Sequence, residues 1–244
     1  MSKPIQSEFQ KAAIAGEGQS SVSQMTEVKA FSAQELTDLK LIHSGAGAPS
    51  ALKAFRDLRT RLMAIKEEGN FACLVVSAEP GGGSHVAVNL AAAIALDKTK
   101  SSVLVDCNLY APSVGQYMPG GADVGLTDYL DDTSVSCEDI VYGTGVKRMR
   151  AIPVGNNKDG GTEKLASGRM RQLVSELKAR YSDRYVIIDA PSVSNYEAEV
   201  QILSELCDFV LLVVPSGQIT ESVLNAHIER IGKENLAGVV FNER

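Results

Sequence analysis

The chain has 244 residues, of which 44% are hydrophobic and 22% charged, with a formal net charge of -6. That length suits one large α/β domain, and the mild acidity gives no electrostatic footprint for a nucleic-acid backbone, so that partner class is excluded. No stretch reaches the ~18 to 20 consecutive apolar residues of a membrane span, and the polar N-terminus holds no apolar core of a secretory leader, so a cytoplasmic protein is expected.

Residues 1–48 are rich in Ser, Gln, Gly, Ala and Glu and read as an N-terminal arm, mobile or bound to a partner, ahead of a domain over 49–244. Within the arm, Ser32-Ala33-Gln34-Glu35 is a capping-box signature for one short helix carrying Leu36, Leu39 and Leu41. Ser44 to Pro49 reads as a linker. Leu52, Phe55, Leu58 and Leu62 then recur at helical spacing. An apolar strand at Phe71–Val76 runs into a glycine cluster, followed by an Ala-rich helix over Val86–Leu96. Val103–Val105 forms a strand closed by Asp106. After an irregular stretch come a helix over Glu163–Arg180, a strand at Tyr185–Ile188 closed by Asp189, and a helix at Glu197–Leu206. A strand at Phe209–Val214, a helix at Ile219–Ile231 and a last strand at Ala237–Phe241 complete the order.

Several of these strands are continuous Val/Ile/Leu runs, as expected of strands buried on both faces, and helices separate them. Repeated β-helix units give a doubly wound, mostly parallel sheet with helices on both faces. Cys73, Cys107, Cys137 and Cys207 form no C-x-x-C pair, and only three histidines exist (His43, His85, His227). The cysteines therefore read as inert thiols.

In such a sheet, ligands lie beyond the carboxyl ends of the strands. There the first strand meets Ser77-Ala78-Glu79-Pro80-Gly81-Gly82-Gly83-Ser84-His85, directly followed by a helix. A glycine loop opening a helix surrounds phosphate with backbone N–H groups; the bland alternative is an empty tight turn. Asp106 and Asp189, each closing a strand, add the carboxylates that hold Mg²⁺ beside a phosphate loop, with Ser84 or His85 where the loop hydroxyl belongs. Helix capping is the alternative for both aspartates, and for His85 a plain helix start. The pattern departs from G-x-x-x-x-G-K-[ST], because no lysine follows Gly83. A dinucleotide loop fits worse, since Val86 stands at its third glycine.

With these segments in view, the chain resembles the bacterial tyrosine kinases of capsule and exopolysaccharide synthesis, P-loop autokinases akin to the partition and cell-division ATPases. Ala54-Phe55-Arg56-Asp57-Leu58-Arg59-Thr60 looks like the family's opening helix. Ser77-Ala78-Glu79-Pro80-Gly81 begins its Walker A loop and Val88-Asn89-Leu90-Ala91 continues its helix. Val103-Leu104-Val105-Asp106 resembles the second Walker segment, Tyr185 to Pro191 looks like Walker B, and Gly238-Val239-Val240-Phe241-Asn242 like the final strand. The resemblance implies ATP or ADP on Gly81, Gly82, Gly83, Ser84, His85 and Asn242. It implies Mg²⁺ on Asp106, Asp189 and Ser84, and Asp106 as the catalytic residue of an active enzyme. It also implies a membrane-embedded polysaccharide copolymerase as partner, which would hold the protein at the inner face of the membrane.

Four departures stand beside these matches. The Walker A segment is one residue short, its lysine either deleted or replaced by Ser84. Asn108 and Tyr110 replace the second Asp and the Arg of D-x-D-x-R. Lys53 replaces the Glu of the oligomerisation motif E-x-x-R-x-x-R, while Arg56 and Arg59 remain, so a homo-oligomeric ring needs an acid from elsewhere or a hetero-oligomer replaces it. The tyrosine-rich tail is missing, Tyr196 being the last tyrosine. The expectation is a catalytically impaired, kinase-like regulatory component of a polysaccharide synthesis and export system, with weakened or lost nucleotide binding. An active tyrosine kinase is the alternative, and a partition-type positioning ATPase the second.

Overall fold

The computed structural model describes residues 28–44, 49–66, 69–217 and 219–243. It contains one seven-stranded sheet in the order β3-β4-β2-β5-β1-β6-β7. The strands are β1 Ala72–Ser77, β2 Ser101–Asp106, β3 Tyr142–Gly143, β4 Met149–Ile152, β5 Arg184–Asp189, β6 Phe209–Pro215 and β7 Leu236–Asn242. Every pairing is parallel except β3 with β4. The helices are α1 Ala33–Asp38, α2 Pro49–Ile65, α3 Gly83–Ala95, α4 Leu126–Asp131, α5 Gly161–Leu165, α6 Gly168–Ala179, α7 Glu197–Ser204 and α8 Glu221–Ile231. The doubly wound sheet read from the sequence is therefore the architecture.

The central strands are buried on both faces, which is why they read as unbroken apolar runs. Cys73, Val75, Leu104, Ile187 and Leu211 face α3, with α2 and the segment around Leu41 outside it. Leu74, Val76, Val103, Val105, Ile188 and Leu212 face the layer that holds α4, α6, α7 and α8. The α3 helix is buried over almost its whole length, hence its run of alanines. Its C-terminal carbonyls are met by arginines: Arg59 donates to the Ala93 carbonyl at 3.0 Å and Arg148 to that of Ala95 at 2.7 Å. Cations there also suit the negative end of the helix dipole.

The helix read over Glu163–Arg180 is two helices. The Ser167 hydroxyl accepts from the Met170 amide at 3.2 Å and starts α6 afresh, so α5 stops before it. Within the stretch read as irregular lie α4 and the short strands β3 and β4. All four cysteines are free, and three are buried.

Residues 1–27 and 45–48 of the arm lie outside the described residues. The part that is described, residues 28–44, is docked. The Phe31 amide donates to the Gly145 carbonyl at 2.8 Å, α1 carries its capping box at Ser32 and Glu35, and Leu41 and Ile42 are buried in the core. Asn89 on α3 holds this segment, accepting from the Ile42 amide at 2.8 Å and donating to the Lys40 carbonyl at 3.2 Å.

Candidate functional site

The parallel sheet brings the carboxyl ends of β1, β5 and β2 side by side. Asp106 and Asp189 are register partners on β2 and β5. Side chains alternate along a strand, so both carboxylates share the face of Leu104 and Ile187, the face that α3 covers. The first turn of α3 opens beside them.

The loop between β1 and α3 depends on its glycines. Gly81 and Gly82 have φ of +126° and +86°, the second in the left-handed region that L side chains rarely adopt. A Cβ on Gly82 would collide with the Asn242 side chain, which therefore lies against the loop from the end of β7. Gly82 caps α3 without offering a side chain to its first amides, which leaves them directed at whatever occupies the loop. Glu79, in the same loop, lies 3.6 Å from His227, a buried residue of α8.

Asp106 and Asp189 differ sharply. Asp106 is buried but accepts three backbone N–H groups, from Asn108 at 3.1 Å, Ser113 at 2.9 Å and Val114 at 3.0 Å. Burial raises its pKa, and these three donors and Lys158 work against the rise. Asp189 is buried with neither oxygen hydrogen-bonded. Burial first, and then the charge of Asp106, push it well above the usual carboxylate range, while the Ser84 hydroxyl favours its charged form. A buried carboxylate with two orphaned oxygens, a second carboxylate alongside and a hydroxyl near the first form a donor set for a hard cation. Among the described residues no third acid, His or Cys joins them. That suits Mg²⁺, which keeps water and substrate oxygens in its shell, better than a closed protein cage.

Of the residues singled out from the sequence, Gly81, Gly82, Gly83, Ser84, Asn242, Asp106 and Asp189 converge here. His85 does not reach the carboxylates: its ring is edge-on to Phe55 at 6.3 Å and within 3.3 Å of the Asn89 amide. Lys53 and Arg56 lie exposed on α2, and Arg59 is committed to the Ala93 carbonyl. Arg169 is a packing residue, bonded to the Tyr129 and Val135 carbonyls and lying over the Tyr129 ring. Tyr110 donates to Glu199 at 2.7 Å and stacks on Tyr196 with ring centroids 3.8 Å apart. Sequence reading missed Lys158, which lines a cleft with Asp106; a lone lysine between Asn157 and Asp159 carries no motif.

A glycine loop under a helix N-terminus, faced by two strand-end carboxylates in a parallel sheet, defines a P-loop-type nucleotide-binding fold. No protein-family profile matches the chain. It is 30% identical over 192 residues to the tyrosine-protein kinase YwqD of Bacillus subtilis (strain 168), spanning 77% of this chain and 79% of that one. The chain thus belongs to the bacterial tyrosine kinase family. The kinase domain of the Escherichia coli tyrosine kinase ETK superimposes with a TM-score of 0.75 at 24% identity, covering 90% of this chain and 83% of that one. The BceF tyrosine kinase domain gives 0.69 at 27% identity, covering 88% and 91%. Among the described residues, no helix is long and apolar enough to cross a membrane.

Proposed function

We propose that this protein binds a Mg²⁺-nucleotide between the Gly81–Ser84 loop and the Asp106/Asp189 pair. In this reading it is a kinase-like regulatory component of a bacterial polysaccharide synthesis and export system, impaired in autophosphorylation, and its partner is a membrane-embedded copolymerase. The observation that carries the reading is the buried Asp189 carboxylate, its oxygens orphaned beside Asp106, with the Ser84 hydroxyl opening α3 near it. That is the relation of hydroxyl to strand-end acid in the G-K-[ST] pattern, and it aligns Gly82-Gly83-Ser84 with the pattern, leaving Gly83 in the lysine's place.

The amides of Gly81 to Ser84 and the α3 dipole would hold the phosphates, and Ser84, Asp189 and Asp106 would hold Mg²⁺. When bound, Mg²⁺ would neutralise negative charge on the phosphates. Asn242 would flank the nucleotide where it touches the loop. What is missing lies on the transfer side. Gly83 offers no ammonium to the transferred phosphate, Asn108 supplies no second carboxylate, and Tyr110 is a neutral phenol held by Glu199. Losing one charge-stabilising donor of a transition state costs on the order of a hundredfold in rate or more, and binding suffers less.

Titration calorimetry with Mg²⁺-ATP and Mg²⁺-ADP, alongside Asp189→Ala, tests the binding half. Affinity on the order of micromolar in the native chain, lost in the variant, is expected. No heat up to millimolar ligand would overturn nucleotide binding and leave the protein partner as the object of study. Phosphotyrosine appearing on purified protein with ATP, at rates comparable to the kinases it resembles, would overturn the impairment and make it an active kinase.

A further inference from the structure

On the β4 side of Asp106, away from the phosphate loop in the strand order, opens a cleft of about 510 Å³. Asp106, Ser113, Gln116, Pro153, Gly155 and Lys158 line it. The loop bearing Lys158 follows β4 and is tied down over the three residues before the lysine. The Asn156 amide donates to Asp128 at 3.2 Å and its side chain to the Asp123 carbonyl at 2.8 Å. Asn157 donates to Asp131 at 2.9 Å and accepts from Lys164 at 2.9 Å through its carbonyl. Gly155, at φ +96°, passes so close to Thr127 and Asp128 that a Cβ would meet their oxygens at 2.7 and 2.6 Å. Lys158 itself is exposed, and among the described residues its ammonium makes no hydrogen bond or ion pair. A free ammonium on a pinned loop beside a buried carboxylate is a built arrangement, and the nucleotide-binding reading above gives it an occupant.

The geometry points to Lys158 as the cation that the phosphate loop lacks: from the β4 side of the site it receives the terminal phosphate of the bound nucleotide. This rests on nucleotide binding at the Gly81–Ser84 loop. The strand order sets the loop after β1, Asp189 on β5 and Asp106 on β2 in succession, with β4 flanking β2 on its other side, so phosphates held on those amides and by a metal on both carboxylates would end near the β4 side. Two carboxylates and a triphosphate outweigh the charge of a single Mg²⁺, so a further cation at the far end is favourable. Lysine is suited to that role as a compact point charge on a flexible stem. A contact at the far end of the chain selects for the number of phosphates, which the loop amides alone do not read, so the protein distinguishes ATP from ADP.

Calorimetry on the full chain with Mg²⁺-ATP and Mg²⁺-ADP tests this with Lys158→Ala, Lys158→Arg and, as a charge control at the other end of β4, Lys147→Ala. Lys158→Ala is expected to weaken ATP about tenfold or more and ADP less than about twofold, while Lys158→Arg keeps most of the ATP affinity and Lys147→Ala changes neither. Equal weakening of both nucleotides, or no weakening of either, overturns the role of Lys158 while leaving nucleotide binding intact. A native chain that binds neither nucleotide overturns nucleotide binding, and this inference with it.

Discussion

Asp189 stands where a carboxylate is costly: buried, unbonded and next to a second acid. Its raised pKa, due first to burial and then to Asp106, has a definite sign in the stability of the metal-free protein. A carboxyl whose folded pKa is raised contributes stability below its ordinary pKa, and that contribution is lost as pH rises through the raised value. Asp189→Asn removes the dependence. With chelator present, the variant should match the native protein at acid pH and exceed its melting temperature by several degrees at neutral pH and above. Melting curves across a pH series, with and without Mg²⁺, would check this, and Mg²⁺ should stabilise only the native protein. Gly82→Ala is the converse case. It forces a side chain into a left-handed backbone and against Asn242, at a cost of about 1–2 kcal/mol from the backbone alone. A melting temperature lowered by about 2–4 °C per kcal/mol, with weaker nucleotide binding, is expected from calorimetry. Gly82, Asp106 and Asp189 were visible in the sequence because a glycine run and an acid that ends an apolar run are both local signals. Lys158 was not, since only the fold puts its loop beside Asp106.

The α3 helix links the site to the rest of the chain. Its first turn carries Ser84, and one turn later Asn89 grips residues 40 and 42 of the docked segment. Asn89→Ala leaves the buried Ile42 amide without its acceptor, which costs about 1–3 kcal/mol. Hydrogen exchange should show faster exchange over residues 36–43 before the sheet is affected; unchanged protection there would mean Leu41 and Ile42 anchor the segment unaided. The elements that sequence read well are those whose signal lies in their own residues: β1, α3, β2, β5 and β6 are long apolar runs. The break between α5 and α6 depended on one serine choosing the Met170 amide over a continuing helix. The strand β4 escaped because its four residues include Arg150, and it is a strand only because β2 lies beside it.

At the scale of the molecule, parallel topology does what sequence separation hides. Asp106 and Asp189 are remote along the chain and adjacent in the sheet. The same topology leaves Lys53 and Arg56 exposed on the outer surface of α2. Arg59, the third basic position of that stretch, is turned inward to Ala93. If the reversed charge at Lys53 is what opposes self-association, Lys53→Glu should raise the mass measured by light scattering at a given concentration, by at least a dimer's worth. An unchanged mass would mean that Lys53 does not oppose self-association.

The docked segment also bears on how fragments of this protein behave. A chain trimmed to begin at Pro49 would keep every motif of the site, from the glycine loop to both aspartates. It would nevertheless lose Leu41 and Ile42, which are 4% and 8% exposed, and open an apolar furrow along the helix that follows the loop. Such a fragment would tend to precipitate or pair with itself through that furrow. A failure to bind nucleotide there would report a torn core and say nothing of the site.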